Sequence, residues 1–141
     1  TSVMKKLLVI LLILSSCSAG KYGEQVVPGF FACTGWNDKN QDGIRDFAEF
    51  QDVKDIFRSN ENVMFVGHFE VPVGSIIKLQ IIAPDRSVYK ELTFTQDKQA
   101  SVFFWKQSVR FLVANKLPGM WKGNWFANDQ PVTTTLITLE R

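Results

Sequence analysis

Three successive patterns of apolar and polar positions divide the chain. The first is an unbroken apolar run from Leu7 to Leu14, preceded by Met4-Lys5-Lys6 and followed by Ser15-Ser16-Cys17. After residues 18 to 30, which show no sustained period and contain three glycines and a proline, Phe47, Phe50, Val53 or Lys54, and Phe57 recur at steps of three and four. That spacing predicts one amphipathic helix from Asp46 to about Ser59, ending at Asn60-Glu61-Asn62. From Val63 onward the period becomes two. Strands are predicted over Val63 to Val71, Ser75 to Ala83, Val88 to Thr95, Ala100 to Ser108, Met120 to Ala127 and Val132 to Leu139, with a further short strand near Arg110 to Ala114. The separators carry turn chemistry, in Pro72-Val73-Gly74, Pro84-Asp85-Arg86, Gln96-Asp97-Lys98, Pro118-Gly119 and Asn128-Asp129-Gln130-Pro131. Short strands with turns every 8 to 12 residues point to an antiparallel β-sandwich.

The apolar run has about eight residues, too few to cross a bilayer, which takes roughly 20. A cationic start, a short apolar core and small residues together have the layout of a secretory signal peptide. Leu14-Ser15-Ser16-Cys17 resembles the lipobox of bacterial lipoproteins, in which small residues admit a signal peptidase and the cysteine thiol receives lipid. The resemblance implies cleavage before Cys17, lipidation of Cys17, and attachment to a membrane through acyl chains such as palmitate. Ser18, a non-acidic residue after the cysteine, is similar to the outer-membrane address of enterobacterial lipoproteins. The expected location is thus the cell envelope, on the outer membrane rather than the inner. Residues 18 to 30 read as a tether lifting the domain from the bilayer.

Asp38-Lys39-Asn40-Gln41-Asp42-Gly43-Ile44-Arg45-Asp46-Phe47-Ala48-Glu49 has oxygen side chains at positions 1, 3, 5, 9 and 12 of a twelve-residue loop and glycine at position 6. This matches the EF-hand loop at every specified position. Calcium takes six to eight oxygen ligands at about 2.3–2.6 Å. Asp38, Asn40 and Asp42 can converge on such an ion, Ile44 can offer its carbonyl, Asp46 can bind directly or through water, and Glu49 can close the site with both oxygens. Without a cation the carboxylates of Asp38, Asp42, Asp46 and Glu49 would repel one another. A solvated Asp/Asn turn before a helix is the alternative reading. The entry, Pro28-Gly29-Phe30-Phe31-Ala32-Cys33-Thr34-Gly35-Trp36, is poor helix material, and position 8 is Arg45 instead of the usual apolar residue. The string resembles the extracellular calcium loops of thrombospondin type 3 repeats and Gram-positive adhesin B-repeats, which implies a structural ion. A weak site, with Kd around 10⁻⁴–10⁻³ M, would remain largely occupied at the near-millimolar calcium common outside cells.

The closing stretch, Leu117-Pro118-Gly119-Met120-Trp121 through an aromatic strand to Val132-Thr133-Thr134-Thr135-Leu136-Ile137-Thr138-Leu139, resembles the last two strands of bacterial Ig-like extracellular modules. The expected architecture is therefore mainly β: an antiparallel Ig-like β-sandwich preceded by an EF-hand-like calcium loop and one short helix. Residues 1–16 are expected as signal peptide, 17–32 as lipidated N-terminus and flexible tether, 33–61 as calcium loop plus helix, and 62–141 as sandwich.

Composition narrows the function. Of 16 Lys and Arg, Lys5 and Lys6 lie in the leader, so 14 remain against 14 Asp and Glu. Near neutrality gives no footing for nucleic acid. Twelve Phe and four Trp in 141 residues suggest a heavy aromatic core. Trp121 and Trp125 share one strand face with Phe126 on the other, and Phe103 and Trp105 share a face with Phe104 opposite. These rings either pack the core or form a platform for a glycan. The single histidine, His68, falls in a strand, and Cys33 is the one cysteine left once Cys17 is acylated. No catalytic motif surrounds either residue. The expected protein is a non-catalytic, calcium-binding envelope lipoprotein acting as an interaction, assembly or accessory subunit, contacting a protein partner and the membrane. A carbohydrate-binding or adhesin module is the alternative, and a small envelope hydrolase a third.

Overall fold

The computed structural model describes residues 21–22, 25–26, 29–41, 43 and 47–141. Its strands are β1 (Lys21–Tyr22), β2 (Gln25–Val26), β3 (Phe30–Cys33), β4 (Gly35–Trp36), β5 (Phe50–Gln51), β6 (Ile56–Arg58), β7 (Asn62–Phe69), β8 (Ile76–Ile82), β9 (Val88–Thr95), β10 (Ser101–Ser108), β11 (Gly119–Ala127) and β12 (Gln130–Glu140). One α-helix, α1 (Val109–Asn115), lies between β10 and β11. A three-stranded sheet has the order β10-β7-β3, and a five-stranded sheet the order β6-β12-β11-β8-β9. Their pairings are antiparallel except β6 with β12, which is parallel. The chain passes from one sheet to the other after β7, returns after β9, and crosses again through α1. This is the two-sheet, crossed-over arrangement of an Ig-like sandwich.

Alternation explains the main core. Phe65 and Phe69 of β7 face Ile77, Leu79 and Ile81 of β8, Trp121 and Trp125 of β11, and Ile137 and Leu139 of β12. Two glycines make this packing possible. A Cβ on Gly67 would lie 2.9 Å from ring atoms of Phe69 and Trp125, and one on Gly123 would lie 2.7 Å from the Phe65 ring. Gly67→Ala and Gly123→Ala are each expected to cost about 1–3 kcal/mol through overpacking, read from denaturant melts. An unchanged midpoint in both would show that the rings can move aside.

β7 is buried on both faces from Val63 to Phe69, because a second, smaller core covers the outer side of the three-stranded sheet. It contains Phe31, Cys33, Phe50, Met64 and Val66, with Trp36, Val102 and Phe104 packed beside them. Phe31 and Phe50 meet edge to face at 5.1 Å.

Three sequence expectations need correction. The helix from Asp46 to Ser59 is absent: Phe47–Glu49 form a single 3-10 turn, followed by β5 and β6. The three-and-four spacing misleads because Phe50 enters the second core whereas Phe57 enters the main core, and Val53 between them is exposed. Asp52 at φ 49° also breaks any helix there. Conversely, the segment expected as a strand near Arg110 to Ala114 is α1, whose buried Val109, Leu112 and Val113 follow helical spacing. The tether expected over residues 17–32 ends sooner, since Phe30–Cys33 pair with β7 and the pairs Lys21–Tyr22 and Gln25–Val26 form a small ladder. Ile56–Arg58, expected within the calcium loop and helix of residues 33–61, pair with β12 of the sandwich.

Candidate calcium loop

The loop is held at its neck by β4 and β5, which pair Gly35 with Gln51 and Trp36 with Phe50. Two bonds extend the ladder: the Thr34 N–H donates to the Gln51 carbonyl at 2.8 Å, and the Asn37 N–H to the Glu49 carbonyl at 3.0 Å. Trp36 and Phe50 anchor this neck in the second core. Downstream, the Lys54 N–H donates to the Ala32 carbonyl at 3.1 Å, returning the chain to β3. Asn37 and Glu49, at the two ends of the loop, are thus fixed side by side.

Within it, the Gly43 N–H donates to Asp38 Oδ2 at 2.8 Å, and the Lys39 N–H donates to Glu49 Oε2 at 2.9 Å. The side chain at the first position of the motif therefore reaches across to the glycine at the sixth. The carboxylate at the twelfth reaches back to the start. Gln41 at φ 56° and Gly43 at φ 73° provide the left-handed turns that bend the chain this way. Glu49 is only 6% exposed. Asp38, Asn40 and Glu49 bring hard oxygen donors, the type a calcium ion requires. Asp42, Ile44 and Asp46 lie outside the described residues, as does Cys17. Among the described residues, no group of three or more His, Cys, Asp or Glu side chains is assembled for a metal.

The tryptophans resolve the aromatic question at their own positions. Trp121 and Trp125 are 0% exposed. Trp125 packs edge to face on Phe69 at 5.5 Å, and Trp121 on Tyr89 at 5.4 Å. They are core, and a sugar ring cannot reach them. Phe126 on the opposite face carries Lys78 Nζ at 4.6 Å from its ring.

Cys33 and His68 both lie on the outer side of the three-stranded sheet but do not meet. Cys33 is paired with Met64, four residues before His68, which sets the two apart by roughly 13 Å along the strands. The Cys33 thiol is fully buried and donates weakly to the Gly35 carbonyl at 3.6 Å. Burial pushes its pKa up to about 11, the reverse of what a nucleophilic thiolate needs. His68 is 2% exposed, and burial lowers its pKa below the usual 6.5, with Glu70 at 3.8 Å opposing the shift. A lowered histidine pKa means that the unfolded chain binds the proton more readily. Stability is therefore complete above about pH 6.5 and declines below it, by up to about 1.4 kcal/mol per pH unit for one proton. Compared with His68→Gln, the native chain should lose stability as pH drops from 7 to 5. A pH-independent difference between the two would contradict this.

No family model matches the chain, and no curated protein sequence matches it. Among solved structures, Pseudomonas fluorescens alkylpurine DNA glycosylase AlkC bound to DNA containing an abasic site analog is similar at a TM-score of 0.40 and 11% identity. The alignment covers 61% of this chain and 28% of that one.

Proposed function

We propose that this protein is a lipid-anchored component of the bacterial cell envelope whose β-sandwich carries a structural calcium ion and works by non-catalytic contact with a protein partner. The observation carrying the calcium reading is the pair of loop-closing bonds, Gly43 to Asp38 and Lys39 to Glu49. They fold the Asp38 carboxylate onto Gly43 and hold the Glu49 carboxylate against the backbone of Lys39, next to Asp38. Asp38, Asn40, Asp42, Asp46 and Glu49 would hold the cation through side-chain oxygens and Ile44 through its carbonyl. The bound ion supplies positive charge that offsets their mutual repulsion. Because Phe50 follows Glu49 directly and packs on Phe31, an occupied loop would also brace the second core.

The non-catalytic reading rests on the separation of Cys33 from His68 and on the thiol's raised pKa. Contact with a partner has two natural places. β9 and β10 are each an edge strand of one of the two sheets and eight residues long, and such strands can accept an added strand. The anchor is tested separately. Cys17→Ser, expressed in a Gram-negative host, should move the protein from the membrane fraction to the soluble fraction and abolish acylation of the mature N-terminus. Retention in the membrane with an unchanged mature mass would reject Cys17 as the anchor. Detergent pull-down of the acylated chain should recover a defined envelope protein.

A further inference from the structure

We propose a second site, independent of the calcium loop: a receptor for a small organic oxyanion between α1 and the turn before β7. Ser59, Asn60, Arg110, Val113, Ala114 and Arg141 line an open concavity of about 410 Å³. Four of these six side chains can donate hydrogen bonds, and none is acidic. The carboxylates nearest in sequence are committed elsewhere. Glu61 pairs with Lys54 Nζ and accepts the Arg58 N–H at 2.8 Å, while Glu140 lies 3.8 Å from Arg58 Nε. Arg110 and Arg141 have no ion pair among the described residues.

Backbone hydrogen bonds tie the two elements that line the concavity together. The Glu61 N–H donates to the Arg58 carbonyl at 2.9 Å, closing the turn that carries Ser59 and Asn60. The Val109 N–H donates to the Glu61 carbonyl at 3.0 Å, tying that turn to the start of α1. Arg110 therefore stands on α1 beside the turn that carries Ser59 and Asn60. Guanidinium forks match the planar carboxylate and the phosphate geometrically. The space exceeds what a bare phosphate fills, and Val113 and Ala114 offer an apolar wall for the stem that bears the anion. The ligand class is an amphiphilic carboxylate or phosphate, with the charged head on Arg110 and Arg141.

The test is amide chemical-shift titration of the full chain with inorganic phosphate, acetate and hexanoate, against sodium chloride at matched ionic strength. Saturable shifts at Ser59, Asn60 and Arg110 in the millimolar range are expected, with hexanoate binding more tightly than acetate. The phosphate and carboxylate arms decide which head group is preferred. Arg110→Gln combined with Arg141→Gln should weaken binding at least tenfold while leaving the thermal midpoint unchanged. Absence of saturable shifts with every anion, or unaltered affinity in the double variant, would overturn the proposal. Neither result depends on whether calcium binds, because Asp38 and Glu49 are untouched.

Discussion

Trp125→Ala should lower stability by about 3–5 kcal/mol, the largest loss expected from a single truncation in this protein. Trp125 is fully buried, ringed by Phe30 at 6.3 Å and Phe69 at 5.5 Å, and set against the bare backbone of Gly67. Its removal would leave a cavity between the two sheets that neither can collapse without distorting the β8–β11 ladder. The corresponding fall in melting temperature is on the order of 10–20 °C. Phe126→Ala, one residue along but on the other face, should cost about 1 kcal/mol, largely the loss of its contact with Lys78. Calorimetric melts of the two variants compare them directly. Equal losses would mean that the division of β11 into a core face and an outer face is wrong. A glycan platform would behave differently: Trp125→Ala would leave the fold intact and abolish binding.

The second large effect concerns the loop. Calcium at 100 times its Kd should stabilise the chain by about 2.7 kcal/mol over chelator-stripped protein. Asp42→Ala should remove most of that increment, because it deletes a carboxylate at the fifth position of the motif. Asp38→Asn offers a second arm: it keeps an oxygen that can accept the Gly43 N–H while removing a charge from the cation. A retained fold with weakened calcium dependence is expected there. The effect should also reach the second core, since β4 and β5 close the loop and pack Trp36 and Phe50 with Met64 and Val66.

Much of this organisation could be read from the residues, for identifiable reasons. Val88–Thr95 lies where alternation and flanking turns put it, and the other long strands agree to within one or two residues. In β8 and β11 side-chain period and burial coincide, whereas β7 is buried on both faces and β10 is half-buried along most of its length. The segment 47–58 was not legible because two short strands feeding different cores mimic a helical repeat. α1 was not legible because Val109-Arg110-Phe111-Leu112-Val113 is rich in β-branched and aromatic residues that favour strands in isolation. The β4–β5 neck has two residues per strand, below any periodic signal, and its existence depends on the outer face of β7 needing cover. For the candidate loop, composition indicated the ligand types, but only the fold brings Glu49 beside Lys39 and Asp38 beside Gly43. The concavity at Arg110 left no motif at all, since Ser59, Arg110 and Arg141 are scattered through the chain and are joined by the packing of α1.

The structural ion is tested most directly by isothermal titration of chelator-stripped protein with calcium, paired with the same titration of Asp42→Ala. One site per chain, Kd between about 10⁻⁴ and 10⁻³ M, and its loss in the variant are the expected results. No saturable heat in the native chain, or an identical isotherm in Asp42→Ala, would contradict the calcium loop.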